Sequence, residues 1–214
     1  MQPNIIEQAL AYVKAKFENE YSGHDYFHTL RVFETATAIA KEEGANLKIV
    51  QLASLLHDVD DVKLSPETNK NLLNARRFLE SHSIDADTIS TICRIIRDVS
   101  FAGCDSVVPE TLEGQCVQDA DRLDAIGAIG IARAFAYGGN HNRLMHHPDE
   151  KPRLNMTKDE YRSHKSTTIN HFYEKLLLLP ALMNTSAAHK IAAHREAFMQ
   201  NYLAEFMNEW DGLL

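Results

Sequence analysis

Leu52-Ala53-Ser54-Leu55-Leu56-His57-Asp58-Val59-Asp60-Asp61 is the stretch that decides the fold. It completes an apolar run that begins at Ile49 and covers nearly the whole circumference of a helix, so this helix is predicted to be buried. His57 and Asp58 stand at its end and are expected to be at least partly buried too. A buried carboxylate near the negative end of a helix dipole is costly unless a cation compensates for it. A bound divalent cation would meet that need.

The same pattern has a simpler interpretation, in which His57 caps the helix and the aspartates form a solvated turn. His-Asp is a common dipeptide, so this stretch alone leaves both interpretations open. In the metal-binding interpretation, Asp60 and Asp61 are expected to add to the repulsion around Asp58. The rest of the chain has to decide between the two.

The composition is typical of a helical globular protein. The chain has 214 residues, long enough to bury one good core, and it contains only 9 glycines and 6 prolines. It shows neither internal repeats nor an interdomain linker. We predict a single all-α domain over residues 1–214.

Charge and cysteine usage exclude several classes of partner. A net charge of −8 disfavours a nucleic-acid partner, because no basic surface is available to meet phosphates. The 3 cysteines have no Cys-x-x-Cys spacing, which disfavours a disulfide framework or a thiolate zinc site. Neither a signal peptide nor a membrane-spanning run is recognisable, so a cytoplasmic protein without a membrane partner is expected.

Apolar periodicity and helix-ending residues predict the order of the helices. Gly44 should end the second helix, and Asn46 should cap the central one. The predicted segments are helices over residues 4–20, 25–43, 46–56, from Pro66 past Leu79, 84–99, 115–136 (ended by Gly138-Gly139), 161–179 (stopping before Pro180) and 186–210, with a loop over 100–113. The buried stripe of the last helix is predicted to contain Ile191, Phe198, Tyr202, Phe206 and Trp210.

Residues 139–159 are polar and loop-like. A loop of this length is typical of a lid, a binding loop or disorder, and the sequence does not choose between them. His141, His146 and His147 are candidates to touch a substrate from this loop, or they are simply solvated.

Two histidines and two aspartates from separate helices can hold a divalent metal with positions left for water. The second helix offers His28, and the central helix offers His57 and Asp58. A later apolar helix carries Asp119, Asp121 and Asp124, of which Asp121 and Asp124 share one face while Asp119 points elsewhere.

The spacing of these residues resembles the H…HD…D pattern of the HD-domain superfamily of metal-dependent phosphohydrolases. His57 follows His28 by 29 residues, and Asp121 follows Asp58 by 63. The flanking words His28-Thr29-Leu30-Arg31-Val32 and Ala120-Asp121-Arg122-Leu123 match as well. The resemblance covers nearly the whole chain and looks closest to a small bacterial branch with similar segments at 118–133 and 171–177. Some members of that branch are described as nucleotide pyrophosphatases.

The resemblance implies a helical bundle with a metal site between central helices. It implies a ligand set of His28, His57, Asp58 and Asp121, with Asp124 left open as the alternative to Asp121. It implies one metal, because the interval between Asp58 and Asp121 holds only His82, where two-metal members have more histidines. Mn²⁺ is favoured by the hard oxygens of the set, with Mg²⁺, Fe²⁺, Co²⁺ and Zn²⁺ as alternatives.

The two remaining acids of these motifs are the catalytic candidates. Asp61 occupies the place of a general acid or base in many HD hydrolases, although a surface acid in a turn has the same pattern. Asp124, one turn beyond Asp121, is expected to orient water.

Candidate phosphate contacts complete the expected site: His24, Lys63, Arg97, Arg122 and Lys165. His24 is alternatively a second metal ligand or an ordinary helix-start histidine, and each cation is alternatively an ordinary surface residue.

The expected activity is hydrolysis of a (deoxy)nucleoside triphosphate to monophosphate and pyrophosphate, with a small phosphorylated molecule as the partner. A nucleoside-monophosphate phosphatase or a phosphodiesterase of the same fold, or a nucleotide-sensing module with little turnover, is the alternative. The oligomeric state is left open, a homo-oligomer included.

Overall fold

The computed structural model describes residues 4–18, 25–61, 65–99 and 106–213, and every regular element in these ranges is a helix. The predicted all-α class is therefore confirmed. The described residues form two compact units: residues through 99 together with 107–121, and Ser106 together with 122–213. Within the same ranges, no helix combines the length and apolar character needed to cross a membrane. The prediction of a single domain stays a prediction.

Eleven α-helices and one 3-10 helix follow one another in the described ranges. They are α1 (Ile5–Lys16), α2 (Tyr26–Glu43), α3 (Leu47–Leu56), α4 (Pro66–Asn69), α5 (Leu73–Ser81), α6 (Ala86–Val99), α7 (Leu112–Asp124), α8 (Gly127–Asn140), α9 (Lys158–Ser163), α10 (Thr168–Glu174), a 3-10 helix (Leu176–Leu182) and α11 (Ser186–Trp210).

Helix α3 is the centre of the first unit and packs against α1, α2 and α6. Its aliphatic side chains Val50, Leu52, Leu55 and Leu56 are completely buried. Burial stabilises each side chain of this kind by about 1.5–3 kcal/mol, so α3 is held firmly in place by its neighbours. The predicted burial is confirmed from Leu52 to Leu56, whereas Leu47 and Lys48 in the first turn are exposed and Ile49 is partly exposed. The buried end, where His57 follows, is fixed by the neighbouring helices.

Local capping sets the ends of α2 and α3. Asp25 accepts a hydrogen bond from the backbone N–H of His28 at the start of α2. Gly44 ends α2 in the left-handed conformation, with φ 77°. Asn46 then accepts hydrogen bonds from the backbone N–H groups of Lys48 and Ile49 and starts α3. Both predicted caps, Gly44 and Asn46, are present.

The helix predicted from Pro66 past Leu79 is in fact two helices, α4 and α5. Leu72 lies between them with φ 51°, a left-handed conformation that a leucine rarely adopts. The side chain of Asp60 accepts the backbone N–H groups of Asn74 and Ala75, and so provides a new start for α5. This distant partner explains the break.

The helix predicted over 115–136 is also two helices. It begins earlier, at Leu112, inside the predicted loop 100–113, and it breaks after Asp124. Gly127 starts α8 with φ 74°, and a Cβ atom there would lie 2.9 Å from Cγ of Arg195. The Gly138-Gly139 pair lies inside α8 and does not end it.

The second unit is built from α8, α10, the 3-10 helix and α11. The helix predicted over 161–179 is wrong, because Thr157 and Thr167 each cap a separate short helix. Pro180 lies within the 3-10 helix instead of following a long α-helix.

The bounds of the last helix are confirmed, but its predicted buried stripe is partly wrong. Met199 and Leu203 lie on the buried face together with small alanines. Phe198 and Trp210 are 47% and 43% exposed. Alanines make this face easy to overlook, since a stripe of large aromatic residues gives a stronger pattern.

The long segment after α8 is anchored by the buried carboxylate of Glu174. One oxygen, Oε1, accepts hydrogen bonds from the backbone N–H of Arg153 at 3.0 Å, from Oγ of Ser166 at 3.0 Å and from Nε2 of His164 at 3.1 Å. Residues 141–157 contain no helix, and their backbone is nevertheless tied to the core of the second unit. A role for this segment as a lid stays open.

Gly127→Ala should lower the free energy of unfolding by about 1–2 kcal/mol or more, because a left-handed conformation disfavours a Cβ and the added atom meets Arg195. Gly139→Ala is the matched control: it lies in the same helix, without a positive φ and with nothing within 4 Å of an added Cβ. The control should not lose stability. Urea unfolding of both variants measures the difference, and equal losses would contradict the explanation.

Candidate metal centre

The first candidate ligand, His28, stands in the first turn of α2. Its side chain is buried, with 1% of the residue exposed. Asp25 accepts the backbone N–H of His28 at 2.7 Å and so fixes the start of the helix that carries the imidazole. The position of the His28 ring therefore depends on the N-cap residue Asp25, three residues before it.

The second and third candidates, His57 and Asp58, follow directly after α3. His57 Nδ1 donates a hydrogen bond to the backbone carbonyl of Ser54 at 2.7 Å. Because a carbonyl only accepts, Nδ1 carries a proton, and in the neutral ring the lone pair of Nε2 is left for a metal. Both residues are buried, as the apolar helix before them predicts.

Three donor atoms converge between α2 and the end of α3. Nε2 of His28 and Nε2 of His57 lie 3.3 Å apart. Oδ2 of Asp58 lies 3.3 Å from the first and 3.2 Å from the second. These three side chains form a cluster that is able to hold a metal ion.

Asp121 on α7 lies next to this cluster. Its Oδ1 lies 3.5 Å from Nε2 of His28 and 3.9 Å from Nε2 of His57. Its side chain is 28% exposed, so the cluster is accessible from this side. Its role as a ligand stays a prediction.

The spacing and chemistry of these donors fit a divalent metal ion. A metal about 2.0–2.2 Å from each nitrogen or oxygen places neighbouring ligand atoms roughly 3 Å apart. Burial by itself would lower the pKa of His57, but the adjacent charge and hydrogen bond of Asp58, together with Asp121, raise it to about 9. A site that stabilises positive charge on a buried imidazole attracts cations in general.

Asp60, which the sequence suggested would add to the repulsion around Asp58, has hydrogen-bond partners of its own on α5. Its carboxylate is buried and accepts two backbone N–H groups at the start of α5. Asp61, one residue later, is partly exposed, and its backbone N–H donates to the carbonyl of Asp58 at 3.0 Å. The turn therefore directs neighbouring acids to different partners.

Asp124 has a defined partner of its own. Its carboxylate accepts a hydrogen bond from Arg133 at 2.8 Å, and the same guanidinium group donates to its backbone carbonyl at 3.1 Å. Arg195 donates to the carbonyl of Leu123. Arginines thus satisfy carbonyl groups that the end of α7 leaves without helical partners. A catalytic role of Asp124 remains a prediction.

The other residues predicted to contact a phosphate differ in their burial and their partners. Arg97 and Lys165 are exposed, whereas Arg122 is buried and donates to the carbonyl of Leu182. His24 and Lys63 lie outside the described residues. Contact of these residues with a phosphate stays a prediction.

Contacts outside the cluster are made by His82, His141, His146 and His147. His82 contacts the carbonyl of Phe78 and the side chain of Gln8. In the segment after α8, His141 stacks on Tyr137, and His146 packs edge-on against Trp210. His147 Nδ1 accepts the backbone N–H of Asp149.

Sequence reasoning missed the residues that support the cluster. Asp25 is the first residue of the helix predicted over 25–43, and aspartate is a typical N-cap residue, so its capping role was predictable from sequence. Asn69 and Asn74 also contact the turn that carries His57 and Asp58, through side-chain amides. No local pattern identifies them, because their partners lie 9 and 15 residues away.

Comparison with known proteins places these residues in a family context. The HD domain family model matches residues 25–126, a range that contains all four candidate ligands. The protein YpgQ of Bacillus subtilis (strain 168) is 33% identical over 209 residues, which cover 97% of this chain and 94% of YpgQ.

Several solved structures are similar to this chain over nearly its whole length. A protein from Lactobacillus plantarum has a TM-score of 0.87 at 41% identity and covers 97% of both chains. An HD-superfamily hydrolase from Bacillus thuringiensis has a TM-score of 0.76 at 39% identity, with 96% of each chain covered. Bacillus subtilis YpgQ in complex with ADP has a TM-score of 0.75 at 33% identity and covers 95% of this chain and 97% of that one.

Asp121→Asn should strongly reduce the stabilisation that Mn²⁺ provides, because it replaces a charged carboxylate donor with a neutral amide, whereas Asp124→Asn should retain it. A ligand at one hundred times its Kd stabilises the folded state by about 2.7 kcal/mol. Thermal unfolding of chelator-treated protein, with and without Mn²⁺, measures this shift. Asp124→Asn should lower the metal-free Tm, since it removes the negative charge that pairs with Arg133. The reverse result for the Mn²⁺ shift would show that Asp124 is the ligand.

Proposed function

Because the chain belongs to the HD superfamily of hydrolases, we propose that it is a metal-dependent phosphohydrolase that cleaves nucleoside triphosphates to monophosphate and pyrophosphate. The single observation that carries the proposal is the convergence of His28, His57 and Asp58, with Asp121 beside them, on one small region. Two imidazoles and two carboxylates are a donor set for a divalent metal.

The four donors would hold one divalent ion, with Mn²⁺ favoured because half of the donors are hard carboxylate oxygens. A metal bound there supplies Lewis acidity, which lowers the pKa of a water molecule and polarises a phosphoryl oxygen. The protein contributes the arrangement: the hydrogen bond from His57 to Ser54 orients the imidazole, and burial of Asp58 keeps competing water away.

Asp61 is the better of the two candidates for proton transfer. It belongs to the same turn as Asp58 and is partly exposed, so its carboxyl group has access to solvent. Asp124 is buried and bonded to Arg133, which stabilises its charged form and makes it a poor proton carrier. We therefore assign proton transfer to Asp61 and a structural contact to Asp124.

A nucleotide substrate is supported by the similarity to YpgQ, which has been crystallised with ADP. The chain itself has a net charge of −8, so a polyphosphate requires the metal and a few local cations to bind. We keep the five residues predicted from sequence as candidates for this role: His24, Lys63, Arg97, Arg122 and Lys165.

Turnover of a nucleotide panel with Mn²⁺, with phosphate and pyrophosphate followed separately, tests the reaction. Pyrophosphate released from triphosphates supports the proposal. Phosphate released from monophosphates indicates a phosphatase, and cleavage of a phosphodiester indicates a phosphodiesterase. Nucleotide binding without any product indicates a sensing module, which is the alternative outside the enzymes.

Asp61→Asn should lower kcat by about 10²–10⁴-fold, the usual contribution of a general acid or base, with little change in KM. Its Mn²⁺ affinity should remain that of the wild type, since Asp61 is not among the four proposed ligands. Glu67→Gln is a suitable control, because Glu67 is an exposed acid on the neighbouring helix α4. An unchanged kcat in Asp61→Asn would remove this residue from the mechanism.

A further inference from the structure

Helix α5 begins without a capping side chain of its own. Leu72, the residue before it, adopts φ 51° and makes no side-chain cap. The carboxylate of Asp60 takes that place: Oδ1 accepts the backbone N–H of Asn74 at 3.1 Å, and Oδ2 accepts that of Ala75 at 2.9 Å. A negative charge at the positive end of a helix dipole is favourable. The turn after α3 is thereby bonded to α5.

Two asparagine side chains make the complementary contacts to the backbone of this turn. Nδ2 of Asn74 donates to the carbonyl of Val59 at 3.0 Å, and Nδ2 of Asn69 donates to the carbonyl of Asp60 at 2.7 Å. Val59 and Asp60 are buried, so their polar groups need protein partners. The asparagines provide those partners.

Asn74 also connects this turn with helix α4. Its Nδ2 lies 3.0 Å from Oγ1 of Thr68, which itself donates to the carbonyl of Ser65. The backbone N–H of Ser65 returns to the carbonyl of Asp61 at 2.7 Å. The side chain of Asn74 therefore links the turn, at Val59, with helix α4, at Thr68.

These contacts act on the residues directly after the two metal-binding candidates. His57 is held on the other side by its hydrogen bond to the carbonyl of Ser54. The backbone carbonyl of Asp58 accepts the backbone N–H of Asp61. Rotation of the backbone at Val59 would break the bond to Asn74 and would move Asp58 away from His28. The position of the Asp58 carboxylate therefore depends on the contacts made by α5.

We propose that Asn74 and Asp60 are positioning residues for the metal site. They touch none of the four donor atoms and act through the backbone of the turn that carries His57 and Asp58. This inference rests on the proposed function, in that it takes His28, His57, Asp58 and Asp121 as the ligands. It assigns a role to two residues that the H…HD…D pattern does not include.

Titration of the chelator-treated full-length protein with Co²⁺ tests the inference, because the visible spectrum of Co²⁺ reports its coordination. Asn74→Ala should raise the Kd for Co²⁺ about 10- to 100-fold, the usual effect of losing a group that orients a metal ligand. The spectrum at saturation should change as well. The metal-free Tm is recorded for each protein, so that loss of stability is separated from loss of coordination.

Asp85→Ala is the matched control. Asp85 accepts the backbone N–H of Thr88 at 2.9 Å at the start of α6, so its loss also removes a helix cap from the first unit. This variant should lower the metal-free Tm and leave the Kd and the spectrum unchanged. If Asn74→Ala behaves in the same way, Asn74 has a structural role only, and the inference is overturned.

A second variant, Asn69→Ala, keeps the test decisive if Asn74→Ala does not fold. It removes only the bond to the carbonyl of Asp60, and a smaller rise in Kd is expected. Wild-type protein that binds Co²⁺ but cleaves no nucleotide would refute the proposed function, while the Kd values still judge Asn74. Wild-type protein that binds no Co²⁺ would overturn both.

Discussion

The close approach of two buried imidazoles and a buried carboxylate is the constraint on which the first unit depends. Nε2 of His28, Nε2 of His57 and Oδ2 of Asp58 lie within 3.3 Å of one another, although they come from two different helices. Polar atoms at such distances have to be held in place, because each would be better hydrated in water. The buried C-terminal half of α3 provides that hold on one side, and the capped start of α2 provides it on the other.

The acids near this cluster show how one residue type serves different purposes in a short stretch. Asp58 faces the histidines, Asp60 is bonded to the first N–H groups of α5, and Asp61 is partly exposed. On α7, Asp121 lies beside the histidines, while Asp124 is bonded to Arg133. In each case the partner decides the role, and the partners come from other elements. The negative charge of these segments is therefore distributed, and only part of it lies next to the two histidines.

The sequence was sufficient wherever the determining interaction is local or the pattern is long. The burial of α3, the caps at Gly44 and Asn46 and the clustering of the H…HD…D residues were all predictable. The breaks at Leu72 and Gly127 were not, because they depend on Asp60 and on the side chain of Arg195. The buried face of α11 was mistaken for its aromatic stripe, since alanines contribute little to an apolar pattern. Asn74 carries no recognisable signature, and only its distant contacts give it a role.

The contacts of Glu174 make the segment after α8 a cooperative part of the second unit. A single oxygen joins three points of the chain between Arg153 and Ser166, so the loss of this carboxylate releases all three together. Such a segment tolerates insertions unevenly. Extra residues at the exposed turn near Asp149 leave the anchored part intact, whereas extra residues between Arg153 and Ser166 would separate the donors from their common acceptor. Length variation among related chains should therefore concentrate before Arg153.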